Sequence, residues 1–123
     1  MMDEETLRGI AASIGGVEVG EGAFAPGIAL WVGRREIAHF DGPNVLDVRM
    51  TRALIRTNRD ELNRDGRVRL RRSTSDWLGF DVSDGDTAAV TMLITQAVAA
   101  NLPTAPDGPP PSGADLERRR RFH

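Results

Sequence analysis

The sequence predicts an α+β domain of two layers, an antiparallel sheet of about five strands with helices on one face, in the order α-β-β-β-α-β-β-α. Three observations carry this expectation. Apolar residues recur with helical period near both ends and in the middle of residues 1–101, short runs between them are continuously apolar or alternate with period two, and Gly-, Pro- and Asn-bearing turns join those runs as hairpins.

The first helix is predicted over residues 3–14, where Leu7, Ile10, Ala11 and Ile14 fall on one face, acids occupy the first turn and Gly15-Gly16 follow the end. "VEVGEGAFAPG" is rich in glycine and reads as a short strand followed by a loop. "IALWV", from Ile28 to Val32, suits a strand buried on both sides. "RREIAHF" and "NVLDVRM" flank Asp41-Gly42-Pro43-Asn44, in which Gly42 or Asn44 can take positive φ while Pro43 sets its own. Alternation places Leu46, Val48 and Met50 on a core face, with Val45, Asp47 and Arg49 opposite.

Thr51 is the expected N-cap of a helix running to about Asp65, with Leu54, Ile55, Asn58 and Leu62 on one side and Gly66 past its end. A second hairpin follows. Val68 and Leu70 alternate with Arg67, Arg69 and Arg71, then Leu78, Phe80 and Val82 alternate with Trp77, Gly79 and Asp81. A cap at Ser83, with Asp86 three residues on, predicts the final helix, whose stripe of Ala89, Val90, Leu93, Ile94, Ala97 and Val98 is the widest in the chain and centres on Leu93.

Residues 1–101 are expected to form the single domain, because 123 residues allow one core and not two. Residues 102–123, rich in proline and ending in "ERRRRFH", cannot bury enough apolar area to offset their ordering entropy and are expected to be a disordered tail. The chain has no cysteine, which excludes disulfides, thiolate nucleophiles and cysteine-based zinc sites. No basic-apolar leader and no membrane-length apolar run occurs, so a cytoplasmic protein without membrane partners is expected. All sixteen basic residues are arginine. Residues 1–101 nevertheless hold 12 Arg against 15 Asp and Glu, an acidic balance that argues against nucleic acid as a partner.

Two groups of residues could carry function. His39 could act as a base, and Glu36 and Asp41 are its nearest possible partners in sequence; alternation puts Ile37 and Asp41 on its face. One His with one Asp is too few ligands for a metal site, so no metal is expected, and no flavin or nicotinamide motif implies a cofactor. The second group is Asp47, Arg49, Arg69, Arg71, Trp77 and Asp81, which alternation gathers on the sheet face opposite the helices. Arginine planes and an indole on one surface are what binding and dimer interfaces use.

"GRREIAHF", "DVRMT" leading into a helix, and Ser73, Ser75, Asp76 and Trp77 before an apolar strand and last helix together resemble the small bacterial luciferase-family (luciferase-domain) proteins, over roughly residues 28–99. The resemblance implies the fold and, by the family label, an oxygenase-type activity. Members commonly have a second histidine two positions after the first, where this chain has Asp41. The expected function is a cytosolic, non-catalytic binding or assembly module that uses the exposed sheet face. It would form a homodimer and could take a protein or small anionic partner. The alternative is a cofactor-free or accessory oxygenase-type enzyme with His39 as base.

Overall fold

The computed structural model describes residues 2–72 and 74–102, so the expected tail, Leu102 apart, and Ser73 lie outside the described residues. The elements are α1 (Glu4–Ser13), β1 (Glu18–Glu21), β2 (Ile28–Val32), β3 (Arg35–Phe40), β4 (Val45–Arg49), α2 (Arg52–Thr57), α3 (Arg59–Arg64), β5 (Val68–Leu70), β6 (Trp77–Asp81) and α4 (Thr87–Ala100). The strands form one antiparallel sheet in the order β1-β2-β3-β4-β6-β5. The α+β class and hairpin plan are as the sequence predicts. The sixth strand is the glycine-rich β1, which pairs along β2 at the sheet edge.

One face of the sheet and the helices enclose the main core. Leu30, Ala38, Leu46, Val48, Leu78 and Phe80 meet Leu7 and Ile10 of α1 and Val90, Ile94 and Ala97 of α4, all buried. Leu46 faces Phe80 and Val48 faces Leu78 across β4 and β6, so the period-two pattern of the two strands brings their apolar side chains onto the same face.

The β2–β3 pair departs from simple alternation. Leu30 lies opposite Ala38, but Trp31 lies opposite Glu36, so β3 carries one extra residue at Ile37. Ile37 therefore joins the helix-side core beside Ala38 and does not share a face with His39, as alternation alone had implied. By the same shift Glu36 comes round to the His39 side, three residues away.

The middle helix is two short ones. Asn58 turns its side-chain amide back onto the Leu54 carbonyl at 2.9 Å, the same oxygen its backbone N–H uses at 3.1 Å, and the helical path breaks there. At the last helix the expected cap moves. Ser83 to Asp86 form a turn with Gly85 at φ 69°, and Asp86 is the N-cap, accepting from the Ala89 N–H at 3.1 Å. The stripe of α4 centres on Ile94, which is fully buried, whereas Leu93 is half-buried beside a groove of about 190 Å3 that it lines with Leu54, Leu62 and Met92. Ile94→Ala should accordingly cost about 2 kcal/mol or more in denaturant melts, and Leu93→Ala clearly less. Equal losses would mean that α4 is rotated relative to this packing.

Thr51 joins β4 to α2 at φ 71°, a conformation that a β-branched residue rarely adopts. Asp76 holds it there: the Asp76 carbonyl accepts from Thr51 N–H at 2.9 Å and its carboxylate from Arg52 N–H at 2.9 Å. Such strain is worth about 1–3 kcal/mol, and glycine caps a helix almost as well as threonine. Thr51→Gly should match or exceed the wild type in thermal stability while Thr51→Ala falls below it, an order read directly from melting curves.

Candidate functional site

The helix-free face of the sheet is built by the residues that alternate with the core. His39 stands directly opposite Asp47 on β4, Asp47 opposite Gly79 on β6, and Arg49 opposite Trp77. Position 79 is closely packed: a Cβ there would lie 3.2 Å from Val45 Cγ1, 3.3 Å from Arg69 Cβ and 3.5 Å from Asp47 Oδ1, so the first two would have to give by a few tenths of an ångström.

Four charged side chains form a line across this face. His39 Nδ1 lies 3.3 Å from Glu36 Oε2, His39 Nε2 lies 3.1 Å from Asp47 Oδ2, and Arg71 Nη2 donates to that same Oδ2 at 2.7 Å. Glu36, His39 and Asp47 are at most 2% exposed although no helix covers them. The Glu36 contact is an ion pair without hydrogen-bond alignment, and Asp47 Oδ1 has no hydrogen-bond partner among the described residues.

Burial alone would push the imidazole toward its neutral form. The hydrogen bond to Asp47, the close polar contact with Glu36 and the charges of both carboxylates outweigh that, and the His39 pKa is raised to about 9. At neutral pH the line therefore reads minus, plus, minus, plus from Glu36 to Arg71.

The cover over this line comes from the β1–β2 loop. Glu36 Oε1 accepts from the Ala23 N–H at 2.8 Å, and Gly22 N–H donates to the Gly27 carbonyl at 2.9 Å. A Cβ at Gly22 would sit 2.3 Å from the Ala25 carbonyl oxygen, so glycine is required for the loop to close this tightly. Ala23 packs with Ala29 and Trp31 in a second, small apolar cluster on the helix-free side, and Trp31 Nε1 donates to the Glu21 carbonyl at 3.2 Å. Phe24 is thereby set edge-on to Trp77, ring centres 5.5 Å apart, while Trp77 stacks obliquely on His39 at 5.0 Å.

Of the residues singled out in the sequence, His39, Asp47, Arg71 and Trp77 come together. Arg49 adds its guanidinium 6.0 Å above the Trp77 ring and pairs with Asp76 at 3.7 Å. Arg69 and Asp81 lie farther out and pair with each other at 3.7 Å. Asp41, expected beside His39, is exposed and approaches Arg71 instead, at 3.9 Å. Phe24 and Arg72 were not singled out by sequence, and the glycines bounding "GAFAPG" are the only sign of the first. Among the described residues no group of three or more His, Asp and Glu is arranged to hold a metal ion, and no helix is long and apolar enough to cross a membrane. No family model, curated protein or solved structure matches the chain.

Proposed function

We propose that the chain is a small non-catalytic binding and assembly module whose working surface is the helix-free face of its sheet. The observation that carries this reading is the concentration of buried charge under that face. Buried charges are expensive, and a core of the same volume made from apolar residues is often as stable or more so. What the Glu36–His39–Asp47 line supplies is fixed geometry: it anchors the loop bearing Phe24 at one end and the Arg71 guanidinium at the other.

Both ring nitrogens of His39 face carboxylates, and the imidazole is protonated at neutral pH. A base needs a nitrogen with a free lone pair toward its substrate, so this arrangement favours binding over the oxygenase-type alternative. The resemblance to luciferase-family proteins is part of the same proposal.

A second copy of the chain suits the outer part of the face, where Arg49, Arg69 and Arg71 are interspersed with Asp41, Asp76 and Asp81, a pattern able to complement itself across a two-fold axis. Trp77→Ala combined with Arg69→Glu should shift the protein toward monomer in sedimentation velocity with an unchanged far-UV spectrum. An indole at a contact centre can carry about 2 kcal/mol of binding, roughly thirtyfold in affinity. A wild type that sediments as a monomer at every concentration would remove the dimer from the proposal.

A further inference from the structure

Beside the covered line of charges lies an open depression of about 510 Å3 lined by Phe24, Arg71, Arg72, Thr74, Ser75 and Trp77. Its volume falls in the range of small-molecule sites, about 300–1,000 Å3. We infer that this depression binds a small monoanion with a flat apolar body, an aryl or conjugated carboxylate, its ring against Phe24 and Trp77 and its carboxylate on Arg71 and Arg72. The inference rests on the reading of this face as the working surface and names the ligand class for one part of it.

The donors point to an anion. Arg71 spends a single nitrogen, Nη2, on Asp47 and Asp41, and among the described residues its Nη1 and Nε form no hydrogen bond. Because Asp47 also holds it from behind, the Arg71 guanidinium is presented with its orientation set, which lowers the entropy lost when a carboxylate docks. Arg72 is exposed and has no ion pair among the described residues. Ser75 Oγ is already used, accepting from the Trp77 N–H at 3.1 Å, so Thr74 supplies the hydroxyl open to a ligand.

The charge balance selects a monoanion. Glu36 and Asp47 cancel His39 and Arg71, and Arg72 leaves about one positive charge at the mouth, which Asp41 partly offsets. A phosphate dianion would be under-compensated, whereas a carboxylate is matched: the Arg72 fork fits its planar geometry and Arg71 adds a single N–H. The apolar part has a defined place as well. Phe24 and Trp77 meet at 84°, and the corner between the rings offers a face and an edge to a flat body.

The test is titration of the full chain, labelled with 15N, with 1-naphthoate and indole-3-acetate as probes, 1-naphthamide as the uncharged control and inorganic phosphate as the anion without a ring. The indole N–H of Trp77 should shift saturably with a dissociation constant of about 1 mM or tighter for both carboxylates. The buried indole N–H of Trp31 should stay in place as the internal reference. Arg72→Gln, which alters an exposed side chain outside the charge line, should weaken binding about tenfold. The inference is overturned if the carboxylates produce no saturable shift, if naphthamide binds as well as naphthoate, if phosphate binds as well as either, or if Arg72→Gln is without effect. The titration is repeated on Arg69→Glu, which removes a second copy from Trp77 and lies outside the depression; if the carboxylates fail on both proteins while the wild type self-associates, the ligand class is wrong and the binding-module reading stands. Failure of both would remove the two together.

Discussion

Asp47→Ala is expected to destabilise the protein by about 3–5 kcal/mol, the usual loss when one member of a buried ion network is removed. The carboxylate is 2% exposed, and its Oδ2 alone serves His39 at 3.1 Å and Arg71 at 2.7 Å. Without it the buried imidazolium loses its aligned carboxylate and faces the poorly aligned Glu36, and the guanidinium loses its anchor. Asp81→Ala is the control on the same face. It removes a half-buried partner 3.7 Å from Arg69 that also accepts from the Ser83 N–H at 2.8 Å, and should cost about 1 kcal/mol, well short of the loss at Asp47. Denaturant melts of both variants decide the matter: equal midpoints would mean that the charge line does not form in solution. Asp47→Asn keeps an acceptor for one of the two donors and should fall between them.

The same comparison bears on why the charges are there. Chain stability does not require them, since an apolar replacement of matched shape avoids the desolvation of the three buried charged groups, Glu36, His39 and Asp47. Their retention is explained by what they position, the Phe24 loop and the Arg71 fork, and by the direction they give to the surface between these two.

How much of this was legible in the sequence depends on whether period-two alternation held. Along β4, β5 and β6 it did, and Asp47, Arg49, Arg69, Trp77 and Asp81 all stand on the face opposite the helices because Leu46, Val48, Leu78 and Phe80 claim the other. Along β3 a single extra residue defeats it. The bulge at Ile37 rests on the fit of Trp31 under the Ala23 loop and of Glu36 against Ala23, contacts between segments that local pattern does not encode. The His39–Asp47 pairing was within reach, because a hairpin that turns through residues 41–44 sets the two opposite each other. The break of the middle helix at Asn58 is a local competition for one carbonyl, and the displaced cap of α4 shows the same ambiguity between two acidic turn residues and a serine. Leu93 and Ile94 are adjacent, and a stripe this wide does not say which is central until the groove beside α3 is seen.

Raising the pH should destabilise the protein through His39. Its folded pKa, about 9, lies above the ordinary 6.5, so the folded state holds the proton more tightly than the unfolded chain does. The stabilisation is complete below pH 6.5 and vanishes as pH rises through about 9. A shift of this size corresponds to about 3 kcal/mol, most of it lost between pH of about 7 and 10. The composition makes the experiment clean: the chain has no Lys, no Tyr and no Cys, so the only other groups that ordinarily titrate near that window are its amino terminus and, at the lower end, His123, and both stay in the His39→Gln control. Urea melts across the window should show the wild type weakening steadily as pH increases, and His39→Gln, though less stable at neutral pH, should be flat. A wild type that is equally flat would mean a neutral imidazole with one nitrogen holding a lone pair. That outcome would withdraw the argument against His39 as a base, and an activity screen of His39→Ala against the wild type would then decide between binding and catalysis.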